Sequence, residues 1–224
     1  MVDLILRRDV EVCFLSLNYD FFFETALISH APANFASLSD YIPKDRNWRL
    51  IKLHGSINWG RRPKVQMGGT LHGNWRPYLD ELDLQTGLEK EIQLIEYRDT
   101  VPCDAERTQL FYPALAIPVE RKYEFVCPEE HIIAARDFLA DCPNFLIVGC
   151  SMKDESIFNL LAESVRHARN LKIINGDLPL QSDTYDRIVT RHPFNYRWPD
   201  PIFDGGFDKF MSKNGIEKFL DTLT

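Results

Sequence analysis

The chain has 224 residues, enough for one sizeable domain or two small ones, and 45% are hydrophobic, an ordinary share for a globular core. Its formal net charge of −7 argues against a nucleic-acid surface, since phosphate binding wants a basic face. No apolar run reaches the ~20 residues that span a bilayer, and five cysteines without a Cys-x-x-Cys pair point to neither a disulfide framework nor a zinc ribbon.

Met1 to Arg8 lacks the charged start, apolar middle and small-residue cleavage site of a secretory signal, so a reducing cytoplasm is the expected compartment. Cys13 and Cys150 lie inside apolar runs, where a thiol behaves as a small buried hydrophobe. Arg61, Arg62 and Lys64 form the densest basic cluster, which reads as a solvated loop.

In chain order, Glu11 to Leu17 is an apolar run suited to a buried strand. A helix is predicted over Asp20 to Ser29, capped by Asp20, with Phe22, Phe23, Ala26 and Leu27 on its apolar side and Pro32 ending it. Arg49 to Leu53 is a second buried strand that ends at His54-Gly55. From Asn58 to Arg107, frequent Gly and Pro and weak periodicity predict a loop-rich insertion with one short strand at Ile92 to Tyr97.

Further on, Leu110 to Pro118 reads as a strand entering a loop, and Pro128 to Ala140 as a helix that buries Ile132, Ile133, Ala135, Phe138 and Leu139. Phe145 to Cys150 is the clearest strand and Ser151 to Arg169 the clearest helix. Leu171 to Asn175 is another strand, Arg187 to Thr190 a weaker one, and Lys209 to Leu223 a closing helix. Apolar strands alternating with helices predict an α/β fold, a parallel sheet with helices on both faces. A single domain is expected over residues 1–224, with a core of 1–57 and 108–190, the insertion at 58–107 and a helical extension at 191–224.

Four strand ends carry chemically capable residues. Asn18 and Asp20 follow the first strand, and either cap the next helix or face a ligand. His54 follows the second; alone it would be a structural imidazole, but two strand ends delivering an amide, a carboxylate and an imidazole suggest an active site. Gly149-Cys150-Ser151 closes the third, with Asp154 three residues beyond Ser151, a near capping box that could also offer N–H groups to a phosphate or ribose. Asn175 ends the fourth, where an Asn is ordinarily a turn residue.

In this order, Asn18-Tyr19-Asp20, Leu53-His54-Gly55-Ser56, Gly149-Cys150-Ser151 with Asp154, and Ile173-Ile174-Asn175 resemble the SIR2-like domain family, nearest to its bacterial antiphage-defence branch. The likeness runs from about Asp3 to Asp177, with Cys150 in place of an aromatic residue. It implies a Rossmann-like fold that binds NAD+ as substrate and cleaves its nicotinamide–ribosyl bond. Carried over, Asn18 positions the ribose or an attacking water and His54 is the general base. Asp20 contacts the carboxamide, and Gly149, Ser151 and Asn175 face the adenosine half.

Departure of neutral nicotinamide leaves an oxocarbenium-like ribose that surrounding polar groups stabilise. The zinc-ribbon cysteines of deacylating sirtuins are absent, which favours water as acceptor over a deacylase reaction and implies no zinc. The family's Gly-rich turn lies upstream of Asn-x-Asp; only 17 residues precede Asn18 here, so the chain is expected to lack that N-terminal βα unit. The expectation is therefore that the full protein, with its upstream segment, is an NAD+ hydrolase of the cytoplasm, used in antiviral defence. It has no nucleic-acid or membrane partner and leaves room for a homo-oligomer or a fused upstream segment. The alternatives are a catalytically silent domain for NAD sensing or oligomerisation, and an NAD-dependent protein deacylase.

Overall fold

The computed structural model describes residues 1–8, 10–64, 87–98, 101–103, 111–116, 125–165, 167–176, 178–191, 198 and 200–223. In chain order its elements begin with helix α1 (Val2–Leu6), strand β1 (Val12–Ser16), helix α2 (Phe22–His30), a 3-10 turn (Leu38–Tyr41) and strand β2 (Trp48–Lys52). Strands β3 (Gly55–Pro63), β4 (Leu88–Leu94), β5 (Glu96–Arg98), β6 (Val101–Cys103) and β7 (Tyr112–Leu115) follow. Helix α3 (Glu129–Ala140), strand β8 (Asn144–Val148), helix α4 (Glu155–Val165), strand β9 (Asn170–Ile174) and helices α5 (Leu178–Arg191), α6 (Phe207–Ser212) and α7 (Gly215–Asp221) complete the chain. The fold is mixed α/β, with small parallel and antiparallel sheets.

The chain divides into two compact units. One comprises Cys13–Ile117 and Phe125–Ile132. Within it, β1 pairs with β2, joined through α2. The Leu53 N–H donates to the Ser16 carbonyl at 3.0 Å and the Ile57 N–H to the Tyr19 carbonyl at 3.1 Å. The two C-terminal ends thus lie side by side, as parallel strands require. Leu50, Ile51 and Leu53 are buried, the continuous apolar run of a strand covered on both faces. A second sheet in the same unit is antiparallel, in the order β4-β3-β7, and β5 pairs with β6. The core beside these strands is aromatic: Tyr41 lies 5.3 Å from Trp59 and 5.9 Å from His131, ring centre to ring centre.

The other unit comprises Met1–Val12, Pro118–Glu124 and Ile133–Thr224. Here β8 and β9 are parallel, in register from Asn144 opposite Asn170 to Val148 opposite Ile174, and joined through α4. Ile157, Leu161 and Val165 of α4 are buried, and so are Ile173 and Ile174 of β9. The N-terminal α1 is tied to the end of α7 by an Arg8–Asp221 ion pair at 2.7 Å.

Several expectations need correction. Residues 55–63 form a strand, so the predicted insertion begins with regular structure. Gly60 marks crowding instead of a turn, since a Cβ there would press on Ile95 and Phe111. The short strand expected at Ile92 to Tyr97 is divided between β4 and β5. Residues 65–86, 99–100 and 104–107 of the insertion lie outside the described residues, as do the ends of the strand expected at Leu110 to Pro118.

Arg187 to Thr190, expected as a strand, lies inside α5. Gln181, Thr184 and Ile188 are all buried at a helical spacing, which overrides the β-branched run Ile188-Val189-Thr190. The closing helix is broken in two at Asn214, whose φ of 54° is left-handed. On α2, Phe22 is 78% exposed, while Glu24 and Leu27 point inward. Ile133 of α3, expected inside, is exposed.

His131 is buried among Tyr41 and Trp59, and its Nε2–H donates to the Leu38 carbonyl at 2.9 Å. Burial holds its pKa below the ordinary 6.5, against the opposing pull of the Leu38 hydrogen bond and Glu130. As pH falls below 6.5, the unfolded chain takes up a proton that the folded chain refuses. The stability that this neutral imidazole leaves intact above pH 6.5 is therefore lost progressively on acidification. Urea unfolding at pH 7.5 and 5.5, followed by tryptophan fluorescence, should show a lower midpoint at pH 5.5. His131→Gln should flatten part of that difference, and an unchanged difference would contradict the assignment.

Candidate functional site

The parallel pairing of β1 with β2 sets Asn18-Tyr19-Asp20 alongside His54-Gly55-Ser56. Asn18 is exposed, and its N–H donates to the Ser16 hydroxyl at 3.2 Å. Asp20 is half-buried; its Oδ1 accepts the Phe22 N–H at 3.0 Å, but the N-cap of α2 is Phe21, so Asp20 stands one residue ahead of the cap position that the sequence predicts for it. His54 is half-buried, and its carbonyl accepts the Ala116 N–H at 2.8 Å. Three of the six predicted site residues, Asn18, Asp20 and His54, thus sit on adjacent strand ends of one unit.

What holds this turn is Lys52, the last residue of β2. Its side chain is 1% exposed. Its Nζ donates to the carbonyls of Tyr19, at 3.4 Å, and of Asp20, and to Glu24 Oε1 at 2.8 Å. Glu24 Oε1 also accepts the Tyr41 hydroxyl at 3.1 Å, while Oε2 is buried without a partner. Burial and the nearby Glu24 carboxylate both push the Tyr41 phenol up, so it stays a donor. The Tyr19 carbonyl also lies within reach of the Ser56 hydroxyl at 3.4 Å.

A second brace comes from the segment after β7. The Tyr19 hydroxyl donates to the Ala116 carbonyl, and burial raises its pKa. Ala116 thus ties the Tyr19 side chain to the His54 backbone. The Val126 N–H adds a bond to the Leu53 carbonyl at 3.0 Å. Gly55 follows at a φ of +86°, and a Cβ there would overlap the Ala114 carbonyl. Only glycine lets the chain leave β2, place His54 and enter β3 directly.

The remaining predicted residues lie in the other unit. Gly149 takes a φ of +66°, with open space where a Cβ would be, and its N–H donates to the Ile174 carbonyl at 2.9 Å. The helix expected from Ser151 begins at Glu155. Its cap is Asp154, whose Oδ1 accepts the N–H groups of Ser156 at 2.8 Å and Ile157 at 3.3 Å. Ser151 stands in the half-buried turn before it, next to Met152 at a φ of 53°. The carboxylate fills the place where a phosphate would meet those N–H groups.

Asn175 donates its amide to the Cys150 carbonyl at 3.4 Å and to the Thr184 hydroxyl at 3.1 Å. Burial raises the Cys150 thiol, with Asp154 adding to it and the Met152 contact opposing, so no thiolate nucleophile arises beside Ser151.

Sequence reasoning missed Lys52, Glu24 and Tyr41. The signal was present: Lys52 interrupts Leu50-Ile51-Lys52-Leu53, and a lysine inside a buried apolar run needs acceptors. Among the described residues, no group of three or more His, Cys, Asp or Glu side chains gathers to hold a metal ion. Among the same residues, no helix is long and apolar enough to cross a membrane.

Two stability measurements probe this framework. Gly55→Ala meets both the left-handed backbone and the Ala114 carbonyl, so urea unfolding should show a loss of roughly 2–5 kcal/mol. Gly149→Ala meets the backbone term alone and should lose about 1–2 kcal/mol. Lys52→Met strands a buried carboxylate and should cost about 3–5 kcal/mol. In Lys52→Met/Glu24→Leu the loss should be well below the sum of the two single losses, as a double-mutant cycle will report.

Compared with known protein families and with characterised proteins, the chain matches no family model and no individual sequence.

Proposed function

We propose that the chain is a SIR2-like NAD+ hydrolase that cleaves the nicotinamide–ribosyl bond at Asn18, Asp20 and His54. The observation that carries this reading is the parallel register of β1 and β2, which puts an amide, a carboxylate and an imidazole on neighbouring strand ends. A Rossmann-like arrangement is part of the proposal. It is supported by two strand–helix–strand segments with parallel strands, β1-α2-β2 and β8-α4-β9.

In the reaction, the C–N bond between nicotinamide and ribose breaks and its electron pair leaves with neutral nicotinamide. Positive charge develops on the ribose, where the Asn18 amide oxygen and the Asp20 carboxylate offer compensating dipole and charge. Asp20 Oδ2 also faces the carboxamide, because Oδ1 is held by the Phe22 N–H. Water adds to the ribose carbon while His54 takes its proton, giving ADP-ribose, nicotinamide and a proton. Asn18 orients that water. The resemblance assigns Gly149, Ser151 and Asn175 to the adenosine half; they lie in the other unit, and the reaction itself rests on Asn18, Asp20 and His54. The use that fits such chemistry is depletion of NAD+, as a defence effector would require.

Incubation of the chain with NAD+ and chromatography of the products tests this. Nicotinamide and ADP-ribose should appear in equal amounts. His54→Ala and Asn18→Ala, with far-UV circular dichroism unchanged, should each slow release roughly 100-fold or more. Undiminished release by His54→Ala, or none from the unaltered chain, would sink the reading. Calorimetric NAD+ binding without turnover would favour a non-catalytic sensor instead.

A further inference from the structure

We infer that Lys52 is a positioning residue for the proposed NAD+ site, its buried ammonium setting the Asn18–Asp20 turn through the carbonyls of Tyr19 and Asp20. The inference rests on the functional reading above and concerns a residue that touches neither water nor substrate. Two observations support it. Two of the three acceptors of Lys52 Nζ are backbone oxygens of the turn that bears Asn18 and Asp20. The Tyr19 oxygen also accepts the Ile57 N–H at 3.1 Å, so the ammonium acts together with that strand bond to set where the peptide planes of residues 19 and 20 point. The third acceptor, Glu24, lies on α2, whose first residue Phe22 donates its N–H to Asp20, so the same amine also fixes the helix entry.

The chemistry of the pair argues against a purely stabilising role. Burying a lysine and a glutamate together is seldom better for stability than an apolar pair of the same volume. Here Glu24 Oε2 is left without a partner, which makes the bargain worse still. A methionine at 52 with a neutral residue at 24 would fill the space but could not hold two carbonyls. What the ammonium adds is direction: it selects one orientation of a turn whose side chains must meet the ribose. Displacements of about 1 Å in such groups are enough to slow a reaction about 100-fold.

The test uses the full chain and the variant Lys52→Met/Glu24→Gln, which removes the ammonium without stranding a buried charge. Circular dichroism and a cooperative urea transition establish that it is folded. Two readouts follow. Amide hydrogen exchange at Asn18 and Phe22, which flank this turn, and at Ile57 of β3, whose N–H donates to the Tyr19 carbonyl, should accelerate at least tenfold relative to Leu50 and Ile51 in β2. Nicotinamide release should lose kcat by roughly 100-fold with KM changed much less. Glu24→Gln alone keeps the lysine and an acceptor for it, and should retain most of kcat.

Exchange in the double variant that stays at the unaltered rates, or rises equally throughout the unit, overturns the inference. So does a kcat that does not fall. If the unaltered chain releases no nicotinamide, the hydrolase reading fails by itself, and the exchange rates alone then decide whether Lys52 sets the turn.

Discussion

One buried ammonium organises the part of this protein where chemistry is expected. A lysine amine taken out of water must recover several hydrogen bonds or lose its charge. Lys52 recovers them from the turn after β1, from Asp20 at the entrance to α2 and from Glu24 on α2. The relation reaches further through Glu24 to Tyr41, and from Tyr41 to the edge-on ring of Trp59 and the tilted ring of His131. The aromatic core and the strand-end turn are therefore linked through one carboxylate. A change in either reaches the other through that carboxylate, which accepts from both Lys52 and Tyr41.

Around that centre the remaining constraints are backbone constraints. Ala116 uses both its N–H and its carbonyl to bind His54 and Tyr19. Gly55 gives the chain the left-handed step that permits β2 and β3 to follow each other with a single imidazole between them. The side chains proposed to do chemistry are thus displayed on peptide planes held by buried partners, while Asn18 itself remains exposed. That division suits a hydrolytic site, where precision belongs to the frame and access belongs to the reacting groups.

The other unit is built differently at its corresponding strand end. Gly149 and Met152 both take left-handed backbone angles, and Asp154 satisfies the first N–H groups of α4. A sequence of Ser followed by Asp three residues on resembles a capping box, yet the turn is longer than that pattern assumes and the Asp is the cap. Asn175 illustrates the same competition. The turn residue read from the sequence is real, since its amide is bonded to Cys150 and Thr184.

Strand and helix identity were largely legible from apolar runs and their punctuation. β1, β2, β8, β9 and the body of α3 fall where period and Pro or Gly signals place them. The adjacency of Asn18, Asp20 and His54 was also legible, because strands with continuous apolar runs pair in parallel and end together. The misreadings arose where local preference and packing disagree. Ile188-Val189-Thr190 favours a strand by itself but lies in a helix that buries Gln181, Thr184 and Ile188.

The Gly-rich start of the expected insertion is strand, because Gly60 makes room for Ile95 and Phe111. Lys52 and Glu24 are charged letters in the sequence, 28 residues apart, and nothing local couples them. Sequence alone thus determined which residues stand at the strand ends, since polarity and periodicity are local properties. Only tertiary structure decided what holds those ends in place, since a buried ion pair and a shared carbonyl exist only once distant segments meet.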